Sequence, residues 1–279
     1  MSQSLFDTPT LFDAGEETAG IGAPEDTVTA RLLVAYHGAA FHGFAINVGV
    51  PTVGGAIRDA AERFLGHEVH LAVAGRTDKG VHAWGNVVSF KANASRYEPT
   101  AFQAALNKML SPHIVVRQAS VARPGFNARF SARSRSYRYL IHNAALPSPF
   151  LVDRAWHIEK PLKLALLQMA GDPLLGEHDF TSFCRKPKPV EGKIPSLVRR
   201  ITSLQWDQPE ADLLRLTIVA SGFCHQMVRS IVGLLAECGL GAKHPGDVLS
   251  ILRARDRSAA SQLAPPQGLT LWHVDYEGE

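Results

Sequence analysis

Only three cysteines, Cys184, Cys224 and Cys238, occur in the 279 residues, and none stands in a Cys-x-x-Cys spacing. That excludes a disulfide framework and a zinc knuckle, and leaves reduced, partly buried thiols as the expectation. There is no His-Glu-x-x-His run, and His37 and His42 lie five apart in a glycine-rich stretch, so no metal site is expected. No serine sits in a Gly-x-Ser-x-Gly elbow and no glycine-rich loop ends in Gly-Lys-Ser/Thr, which leaves serine hydrolase and nucleotide hydrolase chemistry without a motif. No apolar run reaches the ~20 residues that would span a bilayer. The first residues also lack the basic start and apolar stretch of a secretion signal, so the expectation is a cytoplasmic protein with no membrane partner.

Lysine and arginine are missing from residues 1–26, which carry Asp7, Asp13, Glu16, Glu17, Glu25 and Asp26. Without periodicity, residues 1–27 read as a flexible acidic extension. Beyond the first 26 residues, 29 basic side chains face 20 acidic ones, so the net charge of +3 conceals an excess of nine in the remainder. Such an excess favours a polyanionic partner, with a merely solvated basic surface as the alternative. A hydrophobic content of 46% suffices for one large core or two modest ones.

Apolar periodicity then alternates between strand and helix. Val28–Tyr36 reads as strand, Thr52–Leu65 as amphipathic helix, Val69–Ala74 and Asn86–Lys91 as strands, Pro99–Leu110 as a helix opened by proline, and Ile114–Val121 as strand. This βαββαβ order is the split βαβ, or ferredoxin-like, unit. It returns more loosely as Ser134–His142, Leu162–Gly171, Val198–Trp206, Leu213–Ala220, Phe223–Glu237 and Leu269–Val274. An α+β fold is expected, with ferredoxin-like halves at 28–132 and 133–279 whose sheets lie side by side and leave a cleft at the seam.

The most informative segment is Gly75-Arg76-Thr77-Asp78-Lys79-Gly80-Val81-His82-Ala83. One carboxylate stands in a tight turn after an apolar run, with basic neighbours and a glycine on either side. The turn either presents Asp78 outward to a substrate or uses it as a simple turn cap. In the expected helix from Phe223, His225 and Arg229 lie four apart beside the stripe of Phe223, Met227, Ile231, Leu234 and Leu235. Arg229 there either pairs with an acid or lays its methylenes over the core. Strand alternation sends Tyr137 and Tyr139 to one face. Residues 184–200 gather Arg185, Lys186, Lys188, Lys193, Arg199 and Arg200 among prolines, a phosphate-contacting loop or a solvated one.

Four stretches resemble, in order and spacing, the tRNA pseudouridine synthase A family: the Asp78 segment; Phe126-Asn127-Ala128-Arg129-Phe130-Ser131-Ala132 leading to Tyr137-Arg138-Tyr139; Asp179-Phe180-Thr181-Ser182-Phe183; and Phe223-Cys224-His225-Gln226-Met227-Val228-Arg229 with Ile231-Val232-Gly233. The sequence departs from the pattern at His37, where the family usually carries Asp, at Phe44–Asn47, and at Gly54. The resemblance implies a pseudouridine synthase fold with a mixed central sheet and an isomerase that turns uridine into pseudouridine at positions 38, 39 and 40 of the tRNA anticodon arm. It also implies a homodimer with the RNA laid across both subunits and no cofactor. Asp78 would be catalytic, Arg229 its ion-pair partner, and Tyr137 the residue stacked on the target uracil. Tyr139 is left to the core. A uridine inside a stem must be extruded before Asp78 can reach it, a task for Arg76. Arg123, Arg129, Arg133, Arg135, Lys186 and Lys188 would hold phosphates. Two other readings stand beside this one: a catalytically silent ferredoxin-like RNA-binding protein, and a nucleosidase using Asp78 on a free nucleoside.

Overall fold

Ala30, Leu32 and Val34 alternate inward and are fully buried along β1 (Thr27–Tyr36), the first strand of a computed structural model that describes residues 26–187, 189 and 195–278. The acidic stretch through residue 25, Lys188 and Lys193 lie outside the described residues. After β1 comes α1 (Val53–Leu65), opened by Thr52, whose Oγ1 accepts from the Gly55 amide, and closed by a left-handed Gly66. β2 (Ala72–Val73) and β3 (His82–Asn93) follow, then α2 (Pro99–Leu110) and β4 (Ile114–Val121). The Glu98 carboxylate accepts from the Thr100 and Ala101 amides, and Pro99 takes the first helical position, where its missing N–H costs nothing. The second half runs β5 (Ala132–His142), β6 (Trp156–His157), α3 (Leu164–Gly171), β7 (Gly176–Asp179), β8 (Val198–Glu210), β9 (Leu213–Ala220), α4 (Met227–Gly239), α5 (Asp247–Ala254) and β10 (Leu269–Tyr276).

The strands form one sheet in the order β4-β1-β3-β10-β5-β9-β8-β7, with β2 on β3 and β6 on β5. Within it β4-β1-β3-β2 and β10-β5-β9-β8 have the same order, that of two split βαβ units. The fold is α+β with a mixed sheet, because β10 joins β3 in parallel while the pairings inside each unit are antiparallel. That junction is short: only Thr270 with His82 and Leu271 with Ala83. β2 pairs with Val88 and Ser89 farther along the same edge of β3, so the chain leaving β2 emerges beside the seam. α1 packs on α2 and α3 on α4 over a core that includes Leu32, Ile57, Phe102, Tyr139 and Leu167. Full burial of each of the larger apolar side chains contributes about 1.5–3 kcal/mol.

Two expected elements are shorter than their apolar pattern. The strand at Val69–Ala74 pairs only at Ala72–Val73, because the Val69 amide is taken by the Glu62 carboxylate at 2.9 Å and the chain beyond Ala74 turns into a loop. The helix expected from Phe223 begins at Met227, since Gln226 is left-handed with φ 67° and ψ 2°. β6, β7 and α5 are additions the sequence pattern did not announce.

Candidate active site

The loop from Ala74 to Val81 is held from several directions before any side chain chemistry is considered. Asn86, fully buried, donates to the Gly75 carbonyl at 2.9 Å and to the Tyr36 hydroxyl at 3.2 Å, while its carbonyl oxygen accepts from the Gly75 amide at 3.3 Å. The Thr77 hydroxyl meets Tyr36 at 2.8 Å, and the Thr77 carbonyl accepts from the Phe44 amide at 3.0 Å. Asp78 closes the turn by accepting from the Val81 amide at 3.1 Å. Gly38 is required on one flank, since a Cβ there would sit 2.1 Å from the Val81 carbonyl oxygen. Behind the turn, His82 accepts the Gly38 amide on Nδ1 at 3.0 Å and bonds the Gln267 carbonyl through Nε2 at 3.1 Å. Burial and then the neighbouring His37 lower the His82 pKa against the pull of Gln267 and Asp153, which fits a neutral ring carrying its proton on Nε2.

Both carboxylate oxygens of Asp78 meet donors from the other half of the chain. Arg229 Nη1 lies 3.1 Å from Oδ2 and His225 Nε2 lies 3.0 Å from Oδ1, with the Asp78 side chain still 23% exposed. Arg229 is fixed from behind: its Nε donates to the Ala264 carbonyl at 2.8 Å, and the Ala264 amide donates to the Arg229 carbonyl at 3.1 Å. His225 precedes α4, and the left-handed Gln226 turns the chain there; a non-glycine residue at positive φ is a feature that concentrates at functional sites. Burial pushes the Asp78 pKa up, but the hydrogen bond and charge of His225 and those of Arg229 outweigh it, leaving the carboxyl below its ordinary value. It is therefore ionised at neutral pH.

Tyr137 stands beside this pair, its ring 8% exposed and edge-on to Phe223 at 5.1 Å between centroids. A Cβ at Gly75 would lie 2.9 Å from Leu271 Cδ2 and 3.4 Å from the Tyr137 hydroxyl, so the glycine admits the phenol to the loop. Burial, then the neighbouring Tyr36 and Asp78, push the Tyr137 pKa well above that of an ordinary phenol. The hydroxyl stays protonated and has no hydrogen-bond partner among the described residues. An anionic carboxylate and a neutral phenol brought together at one seam can add to an electrophilic carbon, take a proton, or return one.

Of the other residues read from sequence, Arg76 and Arg129 are exposed, the first two positions from Asp78 and the second with its guanidinium carbon 5.3 Å from the Phe130 ring centroid. Lys186 is exposed on a segment tied to the site, as the Arg185 amide donates to the His225 carbonyl at 3.0 Å. Lys188 lies outside the described residues. Arg135 departs from the reading as a phosphate ligand. Its guanidinium serves four main-chain carbonyls, Ala74 at 3.2 Å, Ala132 at 3.2 Å, Ser221 at 2.9 Å and Arg129 at 2.8 Å, because burial beside the loop makes those oxygens its nearest acceptors. Arg133 is ion-paired with Glu277. His37, standing where an acid was expected, pairs with Asp153 of the second half at 3.0 Å. Sequence reasoning missed His225 and Asn86 as parts of the site. The spacing of four between His225 and Arg229 was a visible signal for the first; nothing in the sequence signalled the second.

A family model described as tRNA pseudouridine synthase, a class of isomerase, matches residues 170–277 in the second half of the chain. Three proteins named tRNA pseudouridine synthase A align over nearly their whole length. That of Bacillus subtilis (strain 168) is 38% identical over 253 residues, 88% of this chain and 98% of the relative. That of Caulobacter sp. (strain K31) is 36% identical over 253 residues, covering 89% and 98%. That of Geobacillus kaustophilus is 38% identical over 251 residues, covering 89% and 95%. The chain belongs to the tRNA pseudouridine synthase A family.

Proposed function

We propose that this isomerase converts uridine to pseudouridine in the anticodon stem-loop of tRNA, at positions 38, 39 and 40, with Asp78 as the reacting carboxylate. The observation that carries the proposal is a carboxylate with both oxygens on donors from the opposite half, ionised yet with its side chain 23% exposed. The reaction breaks the N1–C1′ bond, forms a C5–C1′ bond, releases the C5 proton and leaves a proton on N1. It is redox-neutral, so a carboxylate and proton carriers suffice. Asp78 acts either as nucleophile, on ring C6 or on C1′, or as the base that takes the C2′ proton to give a glycal. Arg229 and His225 keep it anionic, and Tyr137 offers its ring to the uracil and its hydroxyl to proton transfer. Arg76 assists extrusion of the uridine, and Arg129, Lys186 and Lys188 neutralise backbone phosphates, with Arg135 supporting the loop from beneath. The enzyme works in the cytoplasm, as a homodimer with the RNA across both subunits.

The test is tritium release from a tRNA transcript labelled at uracil C5. Isomerisation liberates the label. A protein that binds the transcript without releasing label would be a silent RNA-binding protein, and one that frees uracil would be a nucleosidase; either result overturns the proposal.

A further inference from the structure

Phe130 leaves 78% of its surface in solvent in the turn before β5, forgoing the roughly 2 kcal/mol that burial of such a ring contributes. Its segment is nonetheless tied down by side-chain and main-chain hydrogen bonds. The Asn127 side-chain oxygen accepts from the Arg129 amide at 2.9 Å and the Phe130 amide at 3.2 Å, and the Ser131 amide returns to the Asn127 carbonyl at 2.9 Å. Ala128, fully buried, donates its amide to Ser89 Oγ at 2.9 Å and accepts from the Tyr276 hydroxyl at 2.8 Å. Arg135 reaches the Arg129 carbonyl with one nitrogen and the Ala74 carbonyl with another, so this segment and the root of the Asp78 loop are one guanidinium apart.

We propose that Phe130, with the Arg129 guanidinium 5.3 Å from its ring centroid, is a stacking plate for a nucleobase of the RNA next to the uridine that enters the site. The inference rests on the RNA-isomerase reading above and names a residue and a contact which that reading does not contain. Three observations select a base over other occupants. An aromatic ring with a guanidinium near it and most of its surface open offers a flat surface and a positive charge together, which suits a π-face attached to a phosphate. The segment is already fixed, so binding orders little that was loose. The linker is also basic, with Arg123 and Arg129 both exposed. Leu146, Phe150 and Val152 protrude as well, at 78%, 87% and 71% exposure, but among the described residues no cation lies over Phe150. Trp84 also carries a guanidinium, that of Arg117 at 4.0 Å, but is only 45% exposed, so the Arg129–Phe130 plate is the more open of the two.

Because Phe130 is exposed, its substitution does not threaten the fold. The full chain and its Phe130→Ala, Phe130→Leu and Phe130→Trp variants are compared in two ways: anisotropy of a fluorescent anticodon stem-loop RNA, and KM and kcat from tritium release on the C5-labelled transcript. The expectation is an RNA Kd and KM about tenfold higher for Phe130→Ala, a similar loss for Phe130→Leu, and values within about twofold of the parent for Phe130→Trp, the effect falling on KM more than on kcat. Binding by Phe130→Ala equal to the parent overturns the plate. So does a Phe130→Leu variant equal to the parent, which would mean plain apolar contact. A change in sedimentation with unchanged RNA binding would assign the ring to a protein partner instead. Should the parent bind RNA without releasing tritium, the catalytic reading fails while the binding series still decides this one; if it binds no RNA, both fail.

Discussion

The two halves build the site by different means. The first half contributes main chain: Asp78 rides on a turn whose amides and carbonyls are bonded to Phe44, Val81, Asn86 and Val87, with Gly38 and Gly75 clearing the space. The second half contributes side chains, His225, Arg229 and Tyr137, projected from a helix start and a strand. One half thus fixes where the carboxylate is, and the other fixes its charge. They meet across a parallel junction only two residue pairs long, so neither half alone makes a site.

Removing the carboxylate breaks the comparison most severely. Asp78→Asn keeps the turn, since the main-chain bonds remain, and should reduce tritium release by roughly 10⁴-fold while RNA binding stays within a few-fold. Parallel loss of binding would make Asp78 structural. Next comes the charge partner. Arg229→Gln removes the cation but can retain a hydrogen bond, and should lower kcat about 10³-fold with little change in KM. Arg229→Lys should recover only part of this, because it keeps the charge yet loses the Nε bond to Ala264 that aims the group.

The position half is tested at Gly38. A methyl group 2.1 Å from the Val81 carbonyl must push the turn outward, since backbone cannot rotate aside as a side chain can. Gly38→Ala should cost about 2 kcal/mol in denaturant unfolding and, by displacing Asp78, about 10² in kcat/KM. An active Gly38→Ala enzyme with an unshifted unfolding midpoint would show that the flank at residue 38 does not set the loop.

How much of this was legible depended on which half is considered. The glycine-flanked acid could be read directly, because a turn that needs glycines and a carboxylate leaves its mark on consecutive residues. The βαββαβ order was legible for the same reason, as strand and helix periodicity are local, and Pro99–Leu110, Ile114–Val121 and Leu213–Ala220 begin and end where the pattern said. What depends on distant pairing was not. The apolar run at Val69–Ala74 looks like a full strand, but Glu62 claims one end of it. Arg135 looks like a phosphate ligand until the fold surrounds it with carbonyls. His225 was assigned to a helix face, whereas a left-handed Gln226, which nothing in its side chain announces, sets it ahead of the helix. The companion of His37, Asp153, is 116 residues away in sequence, and only the fold brings them together.

The finest test separates the two donors on Asp78. The folded protein holds this carboxyl below its ordinary value although burial opposes it, and His225 is the larger of the two partners responsible, ahead of Arg229. Asp78 therefore stabilises the fold above its unfolded pKa, and that contribution is lost as pH falls through the lower, folded value. His225→Leu takes away one donor and leaves Arg229 on Oδ2 and the neutral Tyr137 nearby, so the folded pKa must rise. The acid limb of kcat/KM should move to higher pH, and activity at neutral pH should fall about tenfold, the lower range for a charge-assisted hydrogen bond at a half-exposed histidine. His225→Gln, which keeps an N–H donor, should lie between the two. A purely structural role would lower activity at all pH values and leave the limb in place. An acid limb that stays put or moves to lower pH in His225→Leu would assign the ionisation of Asp78 to Arg229 alone.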